Sequence, residues 1–327
     1  MIPTFFGITV LSFFIINMAP GGPIEQRLQA MKFGMADSNR GSGNGVVNQE
    51  IIEEMKKHYG LDKPVHVRYF LWLRNISKLD FGNSFVYEEP VMGVIKSKLP
   101  VSLQFGFASL FLTYLICIPL GVAKAVRANS FFDHVTGLVL YFFYAIPSLI
   151  MGILLITFFA GGSFWSWFPI GGLSSDDYDT LTRSQQIWDR AHHFVLPLFC
   201  YVVGSFASLV MLQRNSMLEV IRMDYVRTAR AKGLKEGKVL YKHALRNALI
   251  PIATGLGSWF GVFLAGSLII ETLFNLDGIG LLSYQSTLQR DYNVLMALIF
   301  LSSMVLLIGR LFSDIIYVII DPRIDYT

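Results

Sequence analysis

The chain has 327 residues, of which 53% are hydrophobic and only 15% are charged. Soluble domains carry about 25% charged residues, so this composition excludes an ordinary soluble enzyme and indicates a membrane protein. The net charge of +4 is concentrated in one loop between two apolar runs, and it therefore does not indicate a nucleic-acid partner.

Six apolar runs with almost no charge predict six membrane-spanning helices, because a helix of about 20 apolar residues crosses the hydrocarbon. The runs are Ile2 to Ala19, Val101 to Ala123, Val135 to Ala160, Phe194 to Leu212, Leu249 to Ile270 and Val294 to Ile308. The predicted fold is an all-α polytopic membrane protein. Its predicted parts are a first span at residues 1–20, an external module at 21–100, a five-span core at 101–320 and a tail at 321–327.

The first span and the external module each have a predicted structure. The first run begins at Met1 without a preceding basic anchor, which predicts a span that is short or truncated. In the external module, Gly34 to Asn48 is rich in Gly, Ser and Asn and is expected to be mobile. A helix is predicted from Asn48 to Tyr59, and a second amphipathic segment begins after Pro64 and ends near Asp80. These helices either cover the outer mouth of the membrane domain or receive a partner protein.

The loop after the fourth run sets the predicted orientation. Nine of the 27 Lys and Arg residues lie between Arg214 and Arg246, against three acidic residues. By the positive-inside rule, this loop, residues 214–248, faces the cytoplasm. With six spans, both termini are then cytoplasmic. The loops after the first, third and fifth runs then face outward, and the third-run loop agrees with this because it carries four acidic residues against two arginines.

The basic loop also carries a pattern of secondary structure. Residues Tyr225 to Lys232 and Lys238 to Asn247 lack Pro and Gly and are predicted to be helices, while Gly233 and Gly237 separate them. Two short helices at the cytoplasmic face of a membrane form a platform on which another protein can dock.

The predicted docking face is made of residues of the first short helix and of Gly233, which follows it. Ala229 and Gly233 are four apart, which places them on one helical face, and their small size would let the helix seat closely in a groove. Arg227 and Arg230 flank that face and could meet acidic groups of a partner. The alternative is that the two small residues pack against the chain's own loop.

The absence of charged residues from the apolar runs, and of catalytic motifs from the chain, limits the functions that this protein can have. From Val101 to Leu307 the five later apolar cores contain no Asp, Glu, Lys or Arg, whereas ion-coupled transporters usually keep ionisable groups at membrane depth. The chain has no GxxxxGK[ST] phosphate loop, and it has no HExxH, GxSxG or paired-cysteine metal motif. We therefore expect no bound cofactor, no metal and no catalytic site, and a source of energy outside this chain.

Two stripes of small, weakly polar residues are candidates for lining a path through the membrane. Such stripes follow helical spacing in the second and fifth runs. The polar members are Ser102, Ser109, Thr113, Thr254 and Ser258. Close helix packing is the competing explanation, because small residues let helices approach in lipid.

Several motifs resemble those of the permease subunits of ABC importers. These subunits carry an EAA-x3-G pattern, which aligns here with Arg227, Thr228, Ala229 and Gly233, so that the acidic first position is an arginine. The forms YVRTARAKG and HALRNALIP resemble the peptide-transporter branch. Further segments extend the resemblance over nearly the whole chain: IPT, APGGP, YGLDKP, DFGNS, LPVSL, IPLGV, AIPS, ETLFNLDGIGLL, RDY and DPRID. Together they are most similar to the B-type subunits of oligopeptide importers, including the branch associated with microcin C.

The resemblance implies a fold, partners and a role for the basic loop. It implies a type I ABC importer permease fold in the bacterial inner membrane, paired with a second, homologous permease. Two cytoplasmic ABC ATPase domains, which use ATP and Mg, and an extracytoplasmic peptide-binding protein are the other expected partners, with membrane lipid around the spans. The implied ATPase-docking residues are Arg227, Thr228, Ala229, Arg230 and Gly233. The alternatives are a channel or facilitator without an ATPase, a permease for a dipeptide, glutathione or a nickel complex, and an intramembrane enzyme.

Overall fold

The computed structural model describes residues 2–18, 63–162 and 164–320. In these ranges the regular structure is helical, apart from one isolated bridge between Asn83 and Pro90, and the prediction of an all-α protein is confirmed. The α-helices are α1 (Ile2–Met18), α2 (Val65–Ile76), α3 (Val91–Val126), α4 (Phe131–Ala145), α5 (Ser148–Leu155), α6 (Arg183–Ile221), α7 (Asp224–Ala231), α8 (Glu236–Lys238), α9 (Leu245–Ala248), α10 (Ile250–Ala265), α11 (Leu268–Leu273), α12 (Ile279–Leu288) and α13 (Tyr292–Ile320). Two π-helical stretches, Ile156–Ala160 and Val239–Ala244, continue α5 and α8, and Tyr178–Thr180 forms a 3₁₀ turn.

The described residues of the six apolar runs are mostly helical, but the third run is broken at Ile146 and Pro147 and the fifth at Gly266 and Ser267, and the helices differ in length. Among the described residues, three are long and apolar enough to cross a membrane, Val91–Val126, Arg183–Ile221 and Tyr292–Ile316. A fourth crossing results if Phe131–Ala145 and Ser148–Ala160, which are bent by 96°, form one span. α1 and α10 have 17 and 16 residues, fewer than the ~20 that a perpendicular helix needs. The prediction of six crossings depends on these two shorter helices.

Helix ends lie outside the apolar runs because hydropathy marks the hydrocarbon and not the limits of helical hydrogen bonding. α3 begins at Val91, ten residues before the predicted Val101, so the last ten residues assigned to the external module, 91–100, are already helical. α6 begins at Arg183, where the side chain of Gln185 accepts a hydrogen bond from the backbone N–H of Thr182 at 3.0 Å. This capping contact starts the helix well before its apolar part.

The chain divides into two compact units, and the first comprises Met1–Lys98 and Leu282–Met304. In it, Phe13 of α1 packs against Tyr69 and Trp72 of α2, with ring centroids 5.4 and 5.5 Å apart. α2 matches the amphipathic segment predicted after Pro64, although it ends at Ile76. The mobile stretch and the helix predicted between residues 34 and 59 lie outside the described residues, as does the tail at 321–327.

The second unit comprises Leu99–Leu281 and Val305–Thr327. One of its apolar clusters includes Phe105 of α3, Cys200 of α6 and Phe274 after α11. The backbones of α10 and α13 approach closely, because a Cβ atom at Gly257 would lie 2.1 Å from the carbonyl oxygen of Gly309. Only glycine fits there, which is the packing role of small residues in lipid.

Candidate functional site

The basic loop is built around its own apolar core. Ten buried residues from the ends of α3 and α6 and from the loop form one cluster, called the loop core here: Val122, Ala125, Met217, Val220, Val226, Ala229, Val239, Leu240, Ala244 and Ala248. Val226 and Ala229, three residues apart on α7, are the two side chains through which α7 is anchored. The loop is therefore a packed extension of the membrane helices. Its second helical stretch begins at Glu236 and not at Lys238, so Gly237 lies within that stretch and does not separate the two predicted helices.

The other side of α7 is exposed and carries cations. The side chain of Arg227 is 70% exposed, and its Nη1 lies 3.6 Å from the carboxylate of Asp224. Arg230 donates to Glu236 with an Nη2–Oε1 distance of 2.7 Å. This guanidinium holds the pKa of Glu236 below its usual value, and the carboxylate in turn raises the pKa of Arg230. Thr228 lies between the two arginines and is exposed.

The structure separates the two small residues that were predicted to share a face. Ala229 is buried in the loop core, whereas α7 ends at Ala231 and Gly233 follows it with a φ of +77°. The N–H of Gly233 donates to the carbonyl of Arg230 at 2.9 Å, and a Cβ atom there would meet nothing within 4 Å. The shared-face prediction is wrong. Ala229 packs against the chain's own loop, and Gly233 supplies the left-handed residue that ends a helix, which its position just after a helical pattern could have signalled.

The two stripes of small polar residues are placed differently. Ser102, Ser109 and Thr113 of α3 are all buried within the chain, which is the placement that helix packing gives and not the one expected for lining an open path. Thr254 of α10 is exposed, and its hydroxyl donates to the carbonyl of Pro251 at 2.8 Å. The side chain of Ser258 lies outside the described residues.

A cavity of about 260 Å³ lies beside the exposed turn of α10 that contains Thr254. Helices α3, α6 and α10 line it with Tyr114, Ser205, Ser208, Leu209, Leu212, Pro251, Ile252 and Gly255. Tyr114, Ser205 and Ser208 add one phenol and two hydroxyl groups, which can form hydrogen bonds, to this lining. The sequence prediction missed Ser205 and Ser208, although Gly204 and Ser208 are four apart and show the same small-residue spacing as the two stripes.

A buried carboxylate lies at the other end of α3. Glu271 of α11 is fully buried, and its Oε1 accepts hydrogen bonds from Ser102 Oγ at 3.0 Å, from the Ser267 N–H at 3.1 Å and from Tyr201 Oη at 3.3 Å. Its Oε2 accepts from the N–H of Leu281 at 2.8 Å. These four donors are neutral, and no ion pair to Glu271 is found within the described ranges. Ser102, which was predicted as a candidate path-lining residue, is therefore a hydrogen-bond donor to this carboxylate.

Comparison with known proteins decides the family. Residues 117–326, nearly two thirds of the chain and including the loop core and α7, match the family "Binding-protein-dependent transport system inner membrane component". The chain belongs to this permease family. Its membership confirms the resemblance drawn from the basic loop and the flanking motifs, and it makes this chain an inner-membrane component of a transport system.

The permease also has full-length relatives. It is 41% identical over 351 residues to the inner membrane ABC transporter permease protein YejB of Escherichia coli O157:H7, with 100% of this chain and 96% of the relative covered. It is 43% identical to the peptidoglycan transport system permease protein YejB of Agrobacterium fabrum, with the same coverage. The oligopeptide transport system permease protein AppB of Bacillus subtilis is 39% identical, with 99% of this chain and 96% of that protein covered. Among solved structures, a chain of the inward-facing MetNI methionine ABC transporter aligns at 18% identity with a TM-score of 0.48, covering 69% of this chain and 97% of that chain.

The permease buries charged groups at the ends of its apolar runs. The five later runs themselves contain no Asp, Glu, Lys or Arg. Yet Glu271 follows the fifth run directly, Lys124 follows the second, and Asp133 precedes the third by two residues, and all three are buried. These three residues were not recognised from the sequence, because only the apolar runs were inspected for charged residues. Charged residues that directly border a run are the signal that could have located them.

Proposed function

We propose that this permease imports oligopeptides or peptide-like compounds into the cytoplasm, driven by ATP that a separate ABC ATPase hydrolyses with Mg. The support for a peptide substrate is the set of full-length relatives, which includes permeases named for oligopeptide and peptidoglycan transport. Microcin C-like peptides are a candidate substrate within this class. The proposed complex holds a second, homologous permease, two ATPase domains and an extracytoplasmic binding protein, and both termini of this chain face the cytoplasm.

The observation that carries the coupling proposal is the two-sided packing of α7. Val226 and Ala229 anchor it in the loop core, together with Val122 of α3 and Met217 of α6, while Arg227 and Thr228 face outward. A partner bound to the outer face of α7 would therefore push on a helix that packs directly against α3 and α6. Arg227 is the more available cation for an acidic partner, since Arg230 is bound to Glu236. A channel or facilitator has no need of such a surface.

The cavity supports a polar path for the substrate. Its hydroxyl groups from Tyr114, Ser205 and Ser208, together with the exposed Thr254, can exchange hydrogen bonds with peptide groups as these pass. Side chains that bind weakly at several sites let a substrate enter and leave. In this proposal the path runs between α3, α6 and α10, and the buried serines of α3 hold the helices together.

A bulky substitution on α7 tests the docking surface. Thr228→Trp adds a large side chain on the exposed face without the backbone strain that a substitution of Gly233 would bring. We expect normal membrane insertion, with strongly reduced co-purification of the ATPase and loss of ATP-driven uptake. The matched control is Asp176→Trp, an exposed position in the loop predicted to face outward. If Thr228→Trp retains the ATPase and transports normally, α7 is not the docking element.

Reconstituted vesicles test the substrate and the energy source together. With binding protein and ATPase present, an oligopeptide should stimulate ATP hydrolysis and be taken up, whereas glutathione or a nickel chelate should do neither. Collapse of the proton and sodium gradients with ATP maintained should leave uptake largely intact. Uptake that follows an ion gradient without ATP would contradict the proposal.

A further inference from the structure

Three charged residues at one end of the second unit form a buried ionic cluster. The carboxylate of Asp133, on α4, lies 3.0 Å from Lys124 Nζ of α3 and 2.6 Å from Arg214 Nη2 of α6. Arg214 also donates through Nε to the other carboxylate oxygen at 2.9 Å, so its contact is bidentate. The side chain of Lys124 is fully buried, and those of Asp133 and Arg214 are 6% and 18% exposed.

The remaining polar atoms of the cluster are also bonded. Lys124 Nζ donates to the hydroxyl of Thr136 at 2.8 Å and to the backbone carbonyl of Asp133 at 2.5 Å. The N–H of Asn129 donates to the carboxylate of Asp133 at 3.1 Å. The cluster thus fixes the α3–α4 turn and the start of α4 to α6. Bidentate, charge-assisted bonds define the angle as well as the distance between the groups they join.

Such a cluster adds little to the stability of the fold, because the free energy of removing its charges from water offsets their mutual attraction. Removing two or three charges from water costs several kcal/mol per ion, and well-packed apolar side chains of similar volume often serve folding equally well. What the ionic arrangement adds is a specific geometry between three helix ends. A role that depends on this geometry therefore accounts for the cluster better than a contribution to stability does.

The cluster lies next to the loop core along two helices. Lys124 stands between Val122 and Ala125, which are both loop-core residues of α3, and Arg214 is three residues before Met217 of α6. α7 packs on the same core through Val226 and Ala229. By contrast, α4 contributes no residue to the loop core. α3 and α6 contribute to the loop core on which α7 packs, and the charged cluster joins the start of α4 to these two helices through ion pairs and hydrogen bonds.

We propose that Asp133 is a positioning residue for energy coupling. Its carboxylate makes α4 follow α3 and α6 when a partner displaces α7, so that the bent α4–α5 segment moves with the docking surface. α4 also packs on α3 and α6 through the apolar cluster of Cys117, Leu140, Ala207 and Val210, but apolar contacts do not fix an angle as bidentate ionic bonds do. Without the ionic connection, a partner can still displace α7, but α4 follows that displacement less closely. The proposal rests on the proposed function, since it assumes that α7 is the surface on which the ATPase acts.

Apolar replacement of the whole cluster separates positioning from stability. In the variant Lys124→Met/Asp133→Leu/Arg214→Met no buried charge is left without a partner, so insertion and ATPase co-purification should be as in the wild type. Uptake per ATP hydrolysed should fall about 5- to 150-fold, the span of ordinary coupling free energies. Uptake per ATP equal to that of the wild type, in a correctly inserted complex, overturns the proposal.

A second variant covers the case in which the triple variant does not accumulate. Arg214→Lys keeps the charge next to Asp133 but loses the bidentate contact. It should retain ATPase binding and basal ATP hydrolysis, with a measurable fall in uptake per ATP; an unchanged ratio again overturns the proposal. Failure of the proposed function would look different, because the wild-type complex itself would then show no ATP-dependent peptide uptake.

Discussion

Two buried carboxylates in the second unit are stabilised by different means. Glu271 is held by two hydroxyl groups and two backbone N–H groups, all neutral. Asp133 is held by the cations of Lys124 and Arg214. Both solutions satisfy the rule that a buried charge must be paired or hydrogen-bonded.

The difference lies in what each carboxylate connects. The donors to Glu271 include two N–H groups from its own stretch of chain, Ser267 and Leu281, so this site mainly shapes a compact turn and fastens it to α3 and α6. Each cation at Asp133 comes from another helix, and each depends on the carboxylate for its charge balance. Loss of one neutral donor at Glu271 leaves the other three in place, whereas removal of the Asp133 carboxylate leaves two cations without a counter-charge. The two sites should therefore differ in their response to mutation.

The largest expected effect is that of Asp133→Ala. It leaves the fully buried Lys124 without a counter-charge, and breaking a buried pair in this way costs about 3–5 kcal/mol. Denaturant unfolding of the purified permease in detergent, followed by circular dichroism, measures this. Asp176→Ala, which removes an exposed carboxylate, is the control and should change little. A loss below that of Glu271→Gln would contradict the ranking.

Glu271→Gln should cost less, about 1–3 kcal/mol, because the amide keeps the shape of the carboxylate and mispairs with only some donors. One amide oxygen can still accept at the Oε1 position, but the amide nitrogen then faces the N–H of Leu281, which is itself a donor. The same unfolding measurement applies. A variant as stable as the wild type would show that a neutral group suffices at this site.

Gly278→Ala sharpens the description of the Glu271 site. A Cβ atom at this position would lie 2.6 Å from Glu271 Oε2 and 2.7 Å from Ser102 Oγ, and overpacking of this kind costs about 1–3 kcal/mol. In a Glu271→Ala background the cost should shrink, and a double-mutant cycle measures that coupling. Gly237→Ala is the control, since a Cβ there would meet nothing within 4 Å. Equal costs in both backgrounds would mean that the carboxylate is not what Gly278 accommodates.

The smallest effect is expected at the exposed pair of Arg230 and Glu236. Glu236→Gln should leave the unfolding midpoint nearly unchanged at neutral pH and ordinary salt, because solvent screens exposed pairs. The pKa of Glu236 is lowered from its ordinary value of 4.5 by Arg230. Any stabilisation is therefore present above pH 4.5 and is lost as the pH falls through the folded-state pKa. A gap between variant and wild type that widens on acidification would be the opposite result.

The sequence predicted the docking segment well but not its inward face. The absence of Gly and Pro between Tyr225 and Lys232, together with Gly233, located a short helix to within one residue at each end. Whether Ala229 faces a partner or the chain's own core depends on α3 and α6, which are distant in sequence. Periodicity shows that a helix has two faces, but it does not show what covers each of them.

The membrane path was harder to predict for the same reason. Small residues at helical spacing serve packing and path lining alike, so Ser109 and Ser208 look equivalent in the sequence, although one is buried and the other borders the cavity. The buried charges were missed because each stands just outside an apolar run. Lys124, Asp133 and Glu271 would pass for interfacial residues by position alone.

The ionic cluster also constrains how this permease can evolve. A substitution that removes the charge of Asp133 leaves two cations unbalanced, and one that removes only Lys124 still leaves a matched pair with Arg214. Viable evolutionary routes therefore run through Lys124 first, and Asp133 and Arg214 are then lost together, because either one alone would be a buried charge without a partner. Among related permeases, positions 124, 133 and 214 should covary, with positions 133 and 214 changing as a pair.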